Sequence, residues 1–270
     1  MPSPDYALLD FRALDSLAAT QSPLHSLDPR VKIILTLAFI LTVISYPRHA
    51  VIPILPLLLY PVALIALGRL PMRLLLGKLL IASPFALTIA IFSPLLESDT
   101  FYEVAGMHIT AGWVSFASIM LRFALTVLGA LILISTTGID RIAGALTRMG
   151  VPHLFPTQIL LLYRYAIVLA GEASRMLGAW RLRAGQSRAM PPRIFASFIA
   201  QLLLRALDRS ERLHRAMLAR GFSAAMPVGA PLRLSSRDIQ FLLLWILFFL
   251  LARAYNLPLL VGRLLTEGLS

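Results

Sequence analysis

"FALTVLGALILISTTGI", residues 123–139, holds no charged side chain. A stretch of that length and oiliness is either a bilayer span or the centre of a large soluble core, and its neighbours decide between the two. Residues 50–67, 79–96 and 239–252 also carry no charge, and 31–46 carry only Lys32. A bilayer core takes ~20 mostly apolar residues per helix, within about 17 to 25. Some of these runs are short of that, but flanking residues extend them. The 270-residue chain is 58% hydrophobic and 14% charged, where soluble domains carry roughly a quarter charged residues. Repeated charge-free runs of this kind indicate an all-α polytopic membrane protein.

Cysteine is absent, which excludes disulfides and thiolate metal sites. The first 22 residues contain Asp5, Asp10 and Asp15. They lack the basic start and apolar middle of a cleaved signal, so the membrane helices are expected to drive insertion. The net charge of +12 is unevenly placed: residues 164–221 contain eleven arginines against Glu172, Asp208 and Glu211. Nucleic acid is a poor partner for that span, because no exposed aromatics interleave with the arginines. Contact with anionic membrane lipids and with a protein partner both fit.

Residues 1–24 read as an arm. Asp28 is placed to cap a helix whose first position is Pro29. Basic residues in short loops mark the cytoplasmic side. Arg30 and Lys32, then Arg69, Arg73 and Lys78, then the region after 139 are basic. Residues 97–110 carry Glu97, Asp99 and Glu103 and no lysine or arginine, and only Arg48 runs against the pattern. The N-terminus is therefore expected inside. Residues 25–138 form transmembrane helices one to four, 139–236 a cytoplasmic or interfacial layer of long helices, and 237–270 the last span and a tail. Residues 156–183 form one long helix, expected at the interface because its later half is arginine-rich. This gives about five spans, or six if residues 158–170 cross. Residues 193–220 read as an amphipathic helix of ~40 Å. Phe195, Ile199, Leu202, Ala206, Leu213 and Met217 lie on one side, and Gln201, Arg205, Asp208, Arg212 and Arg215 on the other. Gly221 suits the left-handed position that ends a helix.

Catalytic motifs do not appear. Gly77-Lys78 lacks the earlier glycine and the hydroxyl residue of a phosphate-binding loop, and no His-Glu-x-x-His occurs. Histidines 25, 49, 108, 153 and 214 have no metal-ligand spacing. Arg122 and Arg164 interrupt apolar stretches, where their long stems can carry the charge to a helix end. An ion path through the chain needs paired polar groups at membrane depth; these runs have almost none. Glu172, Asp208 and Glu211 sit among arginines and suit ion pairs better than chemistry.

What remains is the two helix ends. The second long helix closes on Ala219-Arg220-Gly221, and the first on Arg181-Leu182-Arg183-Ala184-Gly185. Each places arginine beside small residues at a helix C-terminus, where the dipole favours a cation by ~0.3–1 kcal/mol. Small neighbours admit another protein surface, and the guanidinium fork matches carboxylates on it. His25-Ser26-Leu27-Asp28-Pro29-Arg30-Val31-Lys32, the arginine-rich helix pair and Met217-Leu218-Ala219-Arg220-Gly221-Phe222 together resemble the T component of energy-coupling-factor transporters, in its cobalt/nickel, CbiQ-like branch.

The resemblance implies a non-catalytic scaffold of the cell inner membrane. It would join two cytoplasmic ATPase subunits, which bind the ATP, to a separate substrate-binding membrane subunit, with a cobalt ion as the transported substrate and no cofactor on this chain. It implies ATPase-coupling roles for Ala219, Arg220 and Gly221. At the first helix end the sequence reads Leu-Arg-Ala-Gly instead of Ala-Arg-Gly. The role falls there on Arg183, Ala184 and Gly185, with Arg181 as a rival and Arg215 as a secondary candidate. Phe195, Ile199 and Leu202 would support the substrate-binding subunit or the membrane helices. Glu172-Ala173-Ser174 with Gly178 keeps an ordinary ABC permease open, and a membrane enzyme acting on lipid and a structural adaptor are the other readings.

Overall fold

The structure is a computed structural model and describes residues 22–96, 100–104, 107–184, 190–222 and 234–255. These divide into two compact units. One holds 22–137 and 234–255, the other 138–184 and 190–222.

In the first unit, α1 spans Pro29–Ile44. Its start follows from chemistry legible in the sequence: the Asp28 carboxylate accepts from the Arg30 N–H at 2.8 Å, and Pro29 has no N–H to satisfy. Val31, Leu35, Phe39 and Val43 form its buried face at four-residue spacing. Pro53 and Pro56 keep Ile52–Leu58 in a 3-10 helix, which runs into α2, Leu59–Gly68. Helix α3, Met72–Ile91, is followed by one helical turn at Ser93–Leu96. Helix α4 is Ala111–Thr137 and α8, the last, is Ser236–Ala254.

The core of this unit is aromatic. The Phe39 and Tyr60 rings lie 4.6 Å apart, and Trp245 and Phe249 meet Tyr60 edge-on at 4.9 and 5.3 Å. Gly129 of α4 makes room for this cluster, since a Cβ there would stand 3.2 Å from the Phe39 ring. Outside the core the surface is oily: Leu80, Ile81 and Phe85 of α3 are each about three-quarters exposed. Such a face belongs in lipid.

In the second unit, α5 is Ile139–Arg148, α6 Leu154–Ala184 and α7 Pro192–Ala219. Helix α5 starts at Gly138, whose φ of +74° and ψ of 153° suit only glycine.

The expected helical membrane fold is what the structure has. Among the described residues three helices, α3, α4 and α6, are long and apolar enough to cross a bilayer, and 52–68 is a shorter apolar pair. Helix α6 meets that length and composition through its apolar first half, while its second half carries Arg175, Arg181 and Arg183, the feature on which the sequence reading places it at the interface. One feature is added to the acidic loop: Thr100–Val104 (β1) pairs antiparallel with Met107–Thr110 (β2). Thr, Phe, Tyr, Val and Ile at these positions are good strand formers.

Candidate functional site

Helices α6 and α7 form the surface to which the sequence points. Glu172 and Arg205 join them through a 2.6 Å ion pair, and the Arg209 guanidinium lies 5.8 Å from the centre of the Tyr165 ring. Moving back along α6 from 172 to 165 moves forward along α7 from 205 to 209, so the helices are antiparallel. The Arg205 hydrogen bond and charge, helped by Arg175 and Arg209, hold the Glu172 carboxyl below the usual carboxylate range against the opposing effect of desolvation. Glu211 and Arg215 pair at 3.0 Å along the exposed face of α7. Two of the three acids expected to serve as ion pairs therefore do so, while Asp208 has no such partner among the described residues.

The end of α7 is built with care. Arg220 is the C-cap residue and Gly221 follows at φ +74°. The Phe222 N–H donates to the Met217 carbonyl and the Gly221 N–H to the Leu218 carbonyl, both at 3.0 Å. This is the Schellman pattern, which satisfies two carbonyls that a helix end leaves open. Met217 and Phe222 line the same groove beside it. Ala219, Arg220 and Gly221 are all exposed, so the closure holds Arg220 outward without covering it.

At the other tip, Arg181 and Arg183 lie in the last turn of α6, both exposed, and Ala184 is its half-buried last residue. Gly185 lies outside the described residues. In an antiparallel pair these tips fall at opposite ends, on the order of 40 Å apart for the ~27 residues of α6 between Leu154 and Arg181. Arg215, the secondary candidate, is engaged by Glu211 on its own helix. The expected apolar stripe of α7 divides. Leu202, Ala206, Leu213 and Met217 are half-buried with Phe198, while Phe195 and Ile199 are exposed. The residues that join the pair, Tyr165 with Arg209 and Glu172 with Arg205, were not paired by sequence reasoning, because 33 positions separate the ion-paired residues.

The first unit holds a second polar construction. The buried Asp28 N–H donates to Asp238 Oδ1 at 3.3 Å, and Asp238 closes a capping box with Ser235 at the start of α8. Lys32, also buried, donates to the Thr136 carbonyl at 3.1 Å, in the last turn of α4. The Leu-Asp-Pro-Arg-Val-Lys stretch thus fastens α1 to α4 and α8, beyond starting a helix. Arg122 donates to the Pro47 carbonyl, a structural task at the turn after α1. Among the described residues no three His, Asp, Glu or Cys side chains gather as a metal site would require.

A family model described as cobalt transport protein, CbiQ, matches residues 20–228. The cobalt transport protein CbiQ of Rhodobacter capsulatus is 39% identical over 97 residues, which is 36% of this chain and 40% of that relative. The match thus spans well under half the length of the relative, while the family model runs from just before α1 through the whole of α7. The chain is a multi-pass membrane protein and belongs to the CbiQ family of cobalt transport proteins.

Proposed function

We propose that this chain is the coupling subunit of an energy-coupling-factor importer for cobalt or nickel ions. Residues 25–138 and 237–270 form its membrane part, and 139–236 the cytoplasmic layer that takes up motion from two ATPase subunits. The N-terminus faces the cytoplasm, in keeping with the basic residues at 30, 32, 69, 73 and 78. ATP is bound and hydrolysed by the partners; this chain is not an enzyme, and a separate membrane subunit holds the metal ion.

The observation that carries this reading is the pair of exposed arginine tips at the two ends of one antiparallel helix pair. Two nucleotide-hydrolysing neighbours related by symmetry offer two equivalent acidic grooves, and a pair of rods with one arginine end each is shaped to serve both. A change in distance between the grooves then becomes a change in the angle between α6 and α7. The joint at Glu172–Arg205 and Tyr165–Arg209 is polar and exposed enough to pivot without exposing a core, since α7 buries no residue fully. Carboxylates in the grooves would meet Arg220 at one end and Arg183, or Arg181, at the other. Phe195 and Ile199, apolar and exposed, are left for the substrate-binding subunit.

The test is Arg220→Glu in the assembled complex. Replacing an attracting charge by a repelling one is expected to abolish transport-coupled ATP hydrolysis and cobalt uptake, while the chain still inserts and α6 and α7 still pair. Uptake at the original rate, with the ATPases still bound, would remove the coupling assignment.

A further inference from the structure

Helices α1 and α8 run parallel: Asp28 meets Asp238 where they start, and Ser45 meets Arg253 where they end. The 19 residues of α8 rise ~28 Å, close to the ~30 Å of a bilayer's hydrocarbon. Residues 239–252 carry no charge, and Leu243, Leu244, Leu247 and Leu250 are exposed, as a face set in lipid is. Asp238 and Arg253 therefore stand near opposite interfaces of the bilayer, which puts Arg253 at headgroup level.

Arg253 is built into its place. Its Nε donates to Ser45 Oγ at 3.0 Å, and one terminal nitrogen donates to the Ser45 carbonyl at 3.4 Å. The guanidinium lies 5.3 Å from the centre of the Tyr46 ring, whose hydroxyl donates to the Ala252 carbonyl at 2.6 Å. These contacts satisfy carbonyls at two helix ends, yet they use only two of the five N–H donors of a guanidinium. Arg253 stays exposed, and among the described residues no carboxylate makes an ion pair with it. A held fork with open donors matches the oxygens of a phosphate.

Beneath Arg253, between α1 and α8, lies a trough of about 270 Å³. Ala38, Leu41 and Thr42 form one wall, and Ile246, Phe249 and Leu250 the other. The Thr42 hydroxyl donates to the Ala38 carbonyl within α1, so its hydrogen is already spent there. Seven residues separate Ala38 from Ser45, and Ile246 from Arg253. That is a rise of ~10 Å, about two-thirds of the ~15 Å of hydrocarbon in one leaflet. An apolar trough of that depth with a cation at its mouth suits an acyl chain that carries an anion at its head. We propose that a phospholipid of net negative charge is held here, with its phosphate on Arg253 and one acyl chain between α1 and α8. A zwitterionic headgroup fits less well, because no carboxylate lies in the trough wall to receive its ammonium. The inference concerns α1 and α8 and does not depend on which partners the arginine tips engage.

The test uses the full chain in phosphatidylcholine nanodiscs doped with a trace of photoreactive lipid. That lipid is phosphatidylglycerol or phosphatidylcholine with a diazirine in the same acyl chain. After photolysis, mass spectrometry counts the label on residues 38–45 and 246–253. The exposed Phe85, Ile89 and Ile91 of α3 serve as the reference for ordinary lipid contact. Phosphatidylglycerol is expected to label the trough about fivefold or more above phosphatidylcholine, the scale of one cation at a membrane surface, and to label α3 no better. Arg253→Gln should cut the preference at the trough to the level of α3. Ala38→Leu fills the trough from a half-buried position and leaves Arg253 with its Ser45 and Tyr46 contacts. It should lower the labelling likewise, and it decides the question if Arg253→Gln does not fold. Equal labelling of the trough by the two lipids overturns the inference, as does a preference that either variant leaves unchanged. Loss of the preference in millimolar inorganic phosphate overturns it too, since Arg253 would then take a free anion and have no use for the trough. None of these results bears on Arg220, whose test needs the ATPases and uses a different readout.

Discussion

Phe39 and Arg220 stand for two ways of using a helix. In the unit of α1, α2, α4 and α8, Phe39 is 0% exposed, and Tyr60, Trp245 and Phe249 close around it. In the unit of α5, α6 and α7, the helix that ends on Arg220 has no buried residue at all. Its stripe of Leu202, Leu213 and Met217 is half-covered, and what joins it to α6 is an ion pair, a cation over a ring and the rim of an open groove. Fully burying a large apolar side chain contributes ~1.5–3 kcal/mol, whereas an exposed ion pair is typically worth 0 to ~1 kcal/mol. The first unit therefore carries its own stability, and the second leaves much of its surface to be completed from elsewhere. A helix built for that end must hold its tip outward without hiding it, as the Gly221 closure does.

The largest effect that contrast predicts is at the aromatic cluster. Phe39→Ala leaves a cavity bounded by Tyr60, Phe249 and the Gly129 backbone, and is expected to cost ~3–5 kcal/mol. Thermal unfolding of the purified chain in detergent, followed by aromatic circular dichroism, measures it. A loss below ~1 kcal/mol, the range of an ordinary surface substitution, would mean that the aromatic cluster is not what holds this unit and would erase the contrast.

Gly221→Ala comes next, and it sharpens the same comparison from the other side. A Cβ at Gly221 meets nothing within 4 Å, so the only obstacle is the φ of +74°. An L-residue in that conformation pays ~1–2 kcal/mol, borne by the last turn of α7 and not by the core. The unfolding midpoint is expected to stay close to the original while cobalt uptake falls, because the closure that aims Arg220 is weakened. Equal losses in both would show that the tip is part of the stability of the unit. An unchanged uptake would show that its aim is unimportant.

How far the sequence reached differs between the two units for a physical reason. The membrane helices were legible because charge-free runs of bilayer length leave few alternatives, and the cap at Asp28 and the closure at Gly221 are local, set by residues within a few positions of one another. Local signals also marked Glu211 as an ion-pairing acid, although its partner four residues on, Arg215, was read as a secondary coupling candidate. The long-range ties were not legible. Asp28 meets Asp238 across 210 positions and Lys32 meets Thr136 across 104, and no periodicity records which distant helix a capping group will find. The apolar stripe of α7 was drawn as one line, and its angle holds, since Phe195 and Ile199 lie 18 residues, or five full turns, from Leu213 and Met217. Phe195 and Ile199 are nevertheless exposed while Leu213 and Met217 are half-buried, because how far along a helix a neighbour covers the stripe is not recorded in its spacing. The 3-10 segment at Ile52–Leu58 was hidden inside a run read simply as apolar, although Pro53 and Pro56 are its cause.

The smallest effect concerns the joint itself. The Glu172 carboxyl is held below its ordinary range chiefly by the hydrogen bond from Arg205. A carboxyl with a lowered value when paired favours the joined state above its unpaired value of ~4.3, and that favour is lost as pH falls through the lowered value. Spin labels placed on exposed positions of α6 and α7 should therefore report a constant separation from neutral pH down to the ordinary carboxylate range, and a broader distribution of distances in more acid solution. Glu172→Gln should broaden the distribution at every pH and abolish its pH dependence. The change is expected to be modest, because Arg209 over Tyr165 and the half-covered leucines remain. If the separation were indifferent both to acid and to Glu172→Gln, the ion pair would be incidental, and apolar contact alone would set the angle of the pair.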